Sequence, residues 1–136
     1  MKIVMIINKE LSMGLAANTA AVLGISLSKK FQQDIVGCDV EDANGNIHLG
    51  ITTQTIPVLS SSREQIKTIR DTVFGSQYSD IAVIDFSEIA QKCLDYDNYL
   101  RTLSSLPSSD IYYLGICLYG PKQKVNKLTG NLALLR

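Results

Sequence analysis

KIVMIINKELSMGLAANTAAVLGISLSKKF, residues 2–31, holds two periodicities in succession. Ile3, Val4, Met5, Ile6 and Ile7 form an unbroken apolar run with β-branched members, which predicts a strand over 2–8 covered on both faces. The polar stretch from Asn8 to Ser12 ends it. From Gly14 to Phe31 the spacing becomes helical, and Ala16, Ala17, Ala20 and Ala21 give this helix a small side able to approach a sheet closely. Lys29 and Lys30 suit its C-terminal dipole.

Downstream, VGCDVEDANGNIHLGI (36–51) has apolar residues alternating on both sides of Asn44-Gly45, the dipeptide favoured by a two-residue type I′ hairpin. With Ala43 opposite Asn46, Val36, Cys38, Val40, Ile47, Leu49 and Ile51 share one face and Glu41 pairs with His48 on the other. Cys38 then reads as a buried small hydrophobe, and Cys38 and His48 point to opposite faces, which excludes a dyad.

Ile56 to Leu59 is a short strand. Ser61 and Glu64 form a capping box opening a helix to Phe74, with Ile66, Ile69 and Val73 inward and Gly75 as its stop. DIAVIDF (80–86) is a further buried strand, and Ser87 caps a helix to Leu103. IYYLGICLYG (111–120) is the last strand, after which Pro121 opens a short helix that Gly130 closes. The order predicts one α/β domain over 1–136: three layers, α/β/α, around a mixed, mainly parallel sheet of four or five strands, with the hairpin as an excursion.

The 136 residues are 46% hydrophobic and carry 13 basic and 13 acidic side chains, a composition that excludes a disordered chain and argues against a nonspecific nucleic-acid or membrane-surface binder. Cys38, Cys93 and Cys117 form no CxxC pair and leave one over under any pairing, which suits a reducing compartment; a cytoplasmic location is the expectation. The opening apolar run is too short for a signal-peptide core and nothing approaches a membrane span, so a soluble, complete chain without membrane partners is expected. One histidine and scattered cysteines predict no metal site, and no cofactor is called for.

Charge is uneven along the chain: residues 111–136 hold four basic residues and no acidic one. Lys122 and Lys124 fall in the first turn of the last helix, where the dipole disfavours cations by about 0.3–1 kcal/mol each. Helix-start N–H groups with lysines make an anion site, so Gly120 to Lys124 is one candidate, weighed against solvated surface lysines. Asn18, polar among Ala21, Val22 and Ile25, is a second, weighed against local hydrogen bonding. Asp85, ending IAVID at the carboxyl edge of the sheet, is the candidate catalytic residue, weighed against helix capping. Tyr96 and Tyr99 can wall a cleft or pack at the boundary.

Two motifs carry a resemblance over most of the chain. KIVMIINKELSMGLAANTAAVLG (2–24) resembles the opening strand, L-x-MG turn and Ala-rich helix of type-2 peptidyl-tRNA hydrolases, and LGICLYGPKQKVNKLTGNLALL (114–135) resembles their closing strand, GP turn and K-x-TG-x-L-x-LL ending. Within that superfamily the likeness is to a branch of unknown function. The resemblance implies the hydrolases' three-layer fold and a homodimer, with Asp85 on their strand-end aspartate. Leu15 and Ala17 stand where those enzymes carry lysines, and Phe86-Ser87-Glu88 with a helix replaces their Thr-bearing loop. The leading expectation is therefore a protein binding a small anionic ligand or a tRNA 3′ end between Asn18, Asp85 and the segment holding Gly120, Lys122, Lys124, Lys127 and Thr129. The alternatives are an esterase on peptidyl- or aminoacyl-tRNA, with Asp85 as base and Lys127 or Thr129 as electrophile, and an interaction module using the hairpin edge.

Overall fold

The computed structural model describes residues 1–136. Strand β1 (Lys2–Asn8) leads into helix α1 (Met13–Ile35), a small hairpin β2 (Val40–Glu41) and β3 (Ile47–His48), strand β4 (Val58–Ser61) and helix α2 (Arg63–Val73). Then come β5 (Ala82–Ser87), α3 (Glu88–Lys92), α4 (Tyr96–Ser104), β6 (Tyr113–Gly120), α5 (Lys122–Thr129) and β7 (Ala133–Leu134). Five strands form one sheet in the order β5-β6-β1-β4-β7, and β2-β3 stand apart.

The sheet is mixed and the fold α/β, as expected, but the expectation of mainly parallel pairing is corrected. Only β1 and β4 pair in parallel; β1–β6, β5–β6 and β4–β7 are antiparallel. The reason is strand insertion: β5 runs in the direction of β1 and β4, but β6 comes back between β5 and β1.

The apolar run of β1 is shared between two cores, as strand alternation requires. Ile3, Met5 and Ile7 face α1 through Leu23, Leu27 and Ile35, joined by Phe86, Cys117 and Tyr119. Val4 and Ile6 face the opposite layer with Ile66, Ile69 and Val73 of α2 and Val125 of α5. Helices thus cover both faces. Gly115 sets the approach of α1, because a Cβ there would stand 2.8 Å from the Thr19 methyl and 2.9 Å from Ile7 Cδ1.

Several boundaries differ from expectation, each for a local reason. α1 extends to Ile35, past non-helical angles at Phe31 (φ −121°, ψ 18°). The cap of α2 is Ser62, which accepts from Gln65 N, while Ser61 is the buried end of β4 and its hydroxyl meets Gln65 Oε1 at 2.8 Å. The helix expected from Ser87 to Leu103 is two helices, because Asp95 accepts from Asn98 N at 2.7 Å and starts a second one.

The hairpin register is one residue off the expected one. Val40 pairs with His48 and Glu41 with Ile47, not His48. Asp42 and Asn46 instead flank a three-residue loop, with Gly45 N donating to Asp42 O and Gly45 at φ +81°, the geometry of a type I turn with a bulge glycine. The slip moves Ile47, Leu49 and Ile51 to the face opposite Val36, Cys38 and Val40. Cys38 is exposed, not buried, and the same parity now puts it on His48's side. No hydrogen bond joins them; His48 Nε2 lies 2.9 Å from Asp42 Oδ2.

Candidate functional site

Near the carboxyl end of β5, a cleft of about 370 Å³ opens between α1, β5 and the α3–α4 pair. Val22 and Ser26 of α1 form one wall, Asp85, Phe86 and Ala90 the base, and Cys93, Asp95, Tyr96 and Tyr99 the other wall. The volume is within the range of small-molecule sites, about 300–1,000 Å³. Its existence follows from the break at Asp95, which turns the chain back so that α4 stands beside the sheet edge.

Asp85 is held from the far side. Arg70 of α2 donates Nε–H to Asp85 Oδ2 at 2.7 Å, with the arginine side chain 12% and the aspartate side chain 21% exposed. The guanidinium also lies 3.4 Å from the Phe74 ring centroid, and its buried Nη1 has no hydrogen-bond partner. Tyr96 and Tyr99 lie with ring centroids 5.4 Å apart at 53°. Burial, and after it the neighbouring Asp85 charge, push the Tyr99 phenol above its ordinary value. Tyr99 is therefore a neutral donor and acceptor near the carboxylate. No lysine or arginine lines the cleft.

Beside it, Ser87 caps α3 through Ala90 N, and Glu88 is bound by Arg63, whose Nε and Nη2 reach its two oxygens at 2.8–3.2 Å. That contact, chiefly its hydrogen bonds, holds Glu88 below the usual carboxylate range. Arg63 also stacks 3.5 Å from the Tyr112 centroid. Arg63 and Arg70 thus clamp both ends of the β5–α3 turn to α2.

The remaining expected site residues do not share this cleft. Asp85 pairs with Ile116, which pairs with Ile6, whereas Gly120 pairs with Lys2 at the other end of the sheet. Four strand residues separate those positions, about 13 Å. Gly120 is a packing glycine, its absent Cβ giving room to Ile81. The anion that offsets the dipole cost at Lys124 is internal: Asp80 Oδ1 and Oδ2 lie 2.8 and 2.9 Å from Lys124 Nζ, which also donates to Gln77 O. Thr129 is buried and donates to Val125 O. Lys127 is exposed on α5, and Asn18 is exposed on the outward side of α1. Lys122 lines a separate hollow of about 440 Å³ with Lys2, Gln54, Thr55 and Pro57.

Of the expected residues, then, the structure joins Asp85 with Tyr96 and Tyr99. Arg70, Asp95, Ser26 and Cys93 were missed. Asp95 had a readable signal, Asp with Asn98 three positions on; Arg70 had none, because a helix sequence does not say which strand its polar residues will meet. No helix is long and apolar enough to cross a membrane.

A family model described as a protein of unknown function (DUF2000) matches residues 1–136. Among solved structures, a protein of unknown function from Agrobacterium tumefaciens strain C58 superposes with a TM-score of 0.86 at 20% identity, covering 98% of this chain and 96% of that one. That likeness extends to the fold. No curated protein matches the chain.

Proposed function

Because the chain belongs along its whole length to the DUF2000 family, whose description carries no activity, we propose its function from the cleft: it binds a small organic molecule that offers hydrogen-bond donors from a flat or apolar body. The observation that carries this is a cleft walled by Tyr96 and Tyr99 with Asp85 in its lining, Asp85 Oδ2 being held by Arg70 from the α2 side while no hydrogen bond occupies Oδ1. The apolar groups Val22, Phe86 and Ala90 suit a ring, and Asp85, Asp95 and the tyrosine hydroxyls suit amine, amide or hydroxyl donors. No lysine or arginine lines the cleft and Arg70 is already paired with Asp85, so nothing there offers a countercharge to a phosphate or carboxylate ligand.

The anionic or RNA-end reading has its own support elsewhere, in the hollow lined by Lys122 and by Lys2, whose Nζ donates to Asn126 Oδ1, beside the start of α5. The resemblance to type-2 peptidyl-tRNA hydrolases supports the esterase alternative through Asp85 alone. An oxyanion formed in ester hydrolysis needs positioned donors, and Leu15 and Ala17 offer none from their side chains.

A thermal-shift and calorimetric screen of amines, nucleosides, phosphates and carboxylates tests the reading. Amines or nucleosides are expected to bind, with affinity lowered about tenfold or more by Asp85→Asn, the scale of one charge-assisted hydrogen bond. Phosphate binding lost in Lys2→Ala plus Lys122→Ala, with Asp85→Asn neutral, overturns it for the anion reading. Peptidyl-tRNA turnover abolished by Asp85→Asn overturns it for the esterase.

A further inference from the structure

The Asp85–Arg70 pair is neutral as a unit, but it is oriented. Ile84 and Phe86 pack on the α1 side of β5, so by strand parity Asp85 projects to the α2 side, where Arg70 donates to its Oδ2 at 2.7 Å. The guanidinium lies there among rings, 3.4 Å from the Phe74 centroid and 5.7 Å from that of Tyr113. Because β5 is the edge strand of the sheet, Asp85 also borders the cleft beyond that edge, whereas Arg70 does not. The two sides therefore face opposite ends of one ion pair. Two phenols respond accordingly. Tyr113, on the α2 side, is raised by burial, lowered by Arg70 and then raised by Asp85 and Asp71. Tyr99, in the cleft, is raised by burial and then by Asp85, Tyr96 and Cys93, with no cation opposing them.

The far wall adds to the same sign. Asp95 lines it with Oδ1 accepting from Asn98 N and with no hydrogen bond at Oδ2. Lys92 and Arg101, the cations of α3 and α4, line no part of the cleft. Tyr96 and Tyr99 meet at 53° and are not stacked flat, so part of each π-face stays clear of the other ring. An aromatic face is the negative side of a quadrupole, and a cation within about 6 Å of its centroid is attracted to it, more strongly away from water. Val22, Phe86 and Ala90 supply apolar surface beside these groups.

Resting on the reading of this cleft as a small-molecule site, we propose that it selects its ligand by charge: the ligand is an organic cation, one ammonium group on an aromatic or compact aliphatic body. The ring faces of Tyr96 and Tyr99 and the carboxylates of Asp85 and Asp95 hold the charge, and the apolar wall holds the body. A neutral alcohol, amide or nucleoside of similar size makes hydrogen bonds there but leaves the negative field of the cleft unanswered. A quaternary ammonium answers it without any N–H to donate.

Calorimetry on the full chain near pH 7, where an alkylamine is protonated, separates these terms with three probes of similar size. They are 2-phenylethylamine, the permanent cation benzyltrimethylammonium, and the neutral isostere 2-phenylethanol. Both cations are expected to bind at least about tenfold more tightly than the alcohol, the scale of a desolvated cation–π contact. The ratio of cation to alcohol affinity is the readout in variants, since general damage to the fold lowers both alike. Asp95→Asn keeps the cap of α4 and removes its charge, and Tyr96→Leu plus Tyr99→Leu removes the ring faces; each is expected to lower the ratio about threefold or more. Tyr96→Phe plus Tyr99→Phe keeps the rings and is expected to leave the ratio within about twofold. Circular dichroism checks that the variants remain folded. A ratio of one or below, with 2-phenylethanol or a nucleoside bound and lost in Asp85→Asn, overturns selection by charge and leaves the small-molecule reading standing. A ratio lowered as much by the phenylalanine pair as by the leucine pair overturns the ring faces as its source. Binding of neither the cations nor any neutral compound overturns both readings.

Discussion

Asp85 and Arg70 are coupled tightly enough that neither can be removed as an isolated group. The guanidinium is largely buried, one of its nitrogens is already without a partner, and Asp85 supplies its countercharge. Asp85→Ala should therefore cost about 3 kcal/mol in denaturant unfolding, the low end for breaking a buried pair. Arg70→Met with Asp85→Leu should recover most of that loss, since no uncompensated charge is left behind. A single-variant cost near zero would mean that the pair is solvated. For the same reason ligand assays call for Asp85→Asn, which keeps an acceptor for Arg70. At this scale the sequence was half legible. The position of Asp85 follows from strand length, but its partner sits on a helix whose register against β5 is set only in three dimensions. Lys124 teaches the same lesson: its misfit with the helix dipole was readable, while the carboxylate that offsets it, Asp80, is 44 positions away.

The hairpin shows how an element can be found in sequence and still be mis-registered. Asn44-Gly45 serves a two-residue turn and equally the last two places of a three-residue loop. Asp42 decides, because its carboxylate accepts from both Asn44 N and Asn46 N and closes the wider loop. His48, first, and these backbone bonds hold the Asp42 carboxyl below its ordinary value of 3.8. A depressed acid stabilises above its unfolded value and loses that contribution as pH falls through the folded one. Amide protection in the loop, taken relative to the intrinsic exchange rate at each pH, should thus fall below about pH 4 before that of the sheet does. Gly50→Ala should abolish protection of the Asp42 amide, since its Cβ collides with Gly37 O. Global unfolding should change by no more than about 0.5 kcal/mol, because β2 and β3 are exposed. A large global loss would show that the ribbon belongs to the core. The α3–α4 break and the two-residue β7 are also element-scale misses: the first by overlooking a cap, the second because two residues have no periodicity.

At the scale of the whole molecule, two cores on either side of β1 were visible in its uninterrupted apolar run, but strand order was not. Nothing local tells β6 to enter between β5 and β1, and that insertion carries Gly120 to the end of the sheet away from Asp85. Its consequence is a central strand buried along its length, with Cys117 paired to both Met5 and Ile84 and fully enclosed. Burial pushes the Cys117 thiol up from 9.0 to about 12. The folded value exceeds the unfolded one, so the contribution of the neutral thiol is intact below pH 9 and is lost as pH rises towards 12, at about 1.4 kcal/mol per pH unit. Tyr99 and Tyr113, also raised, act in the same direction and are removed by comparison with a variant that keeps them. Cys117→Ala should be less stable than the native chain by about 1–2 kcal/mol at neutral pH, the cost of a small cavity. That gap should close between pH 9 and 11 in urea unfolding, because the variant has no thiol to ionise in its unfolded state. A gap that stays constant would place Cys117 in contact with water, as would native-state labelling of Cys117 at the rate of the exposed Cys38.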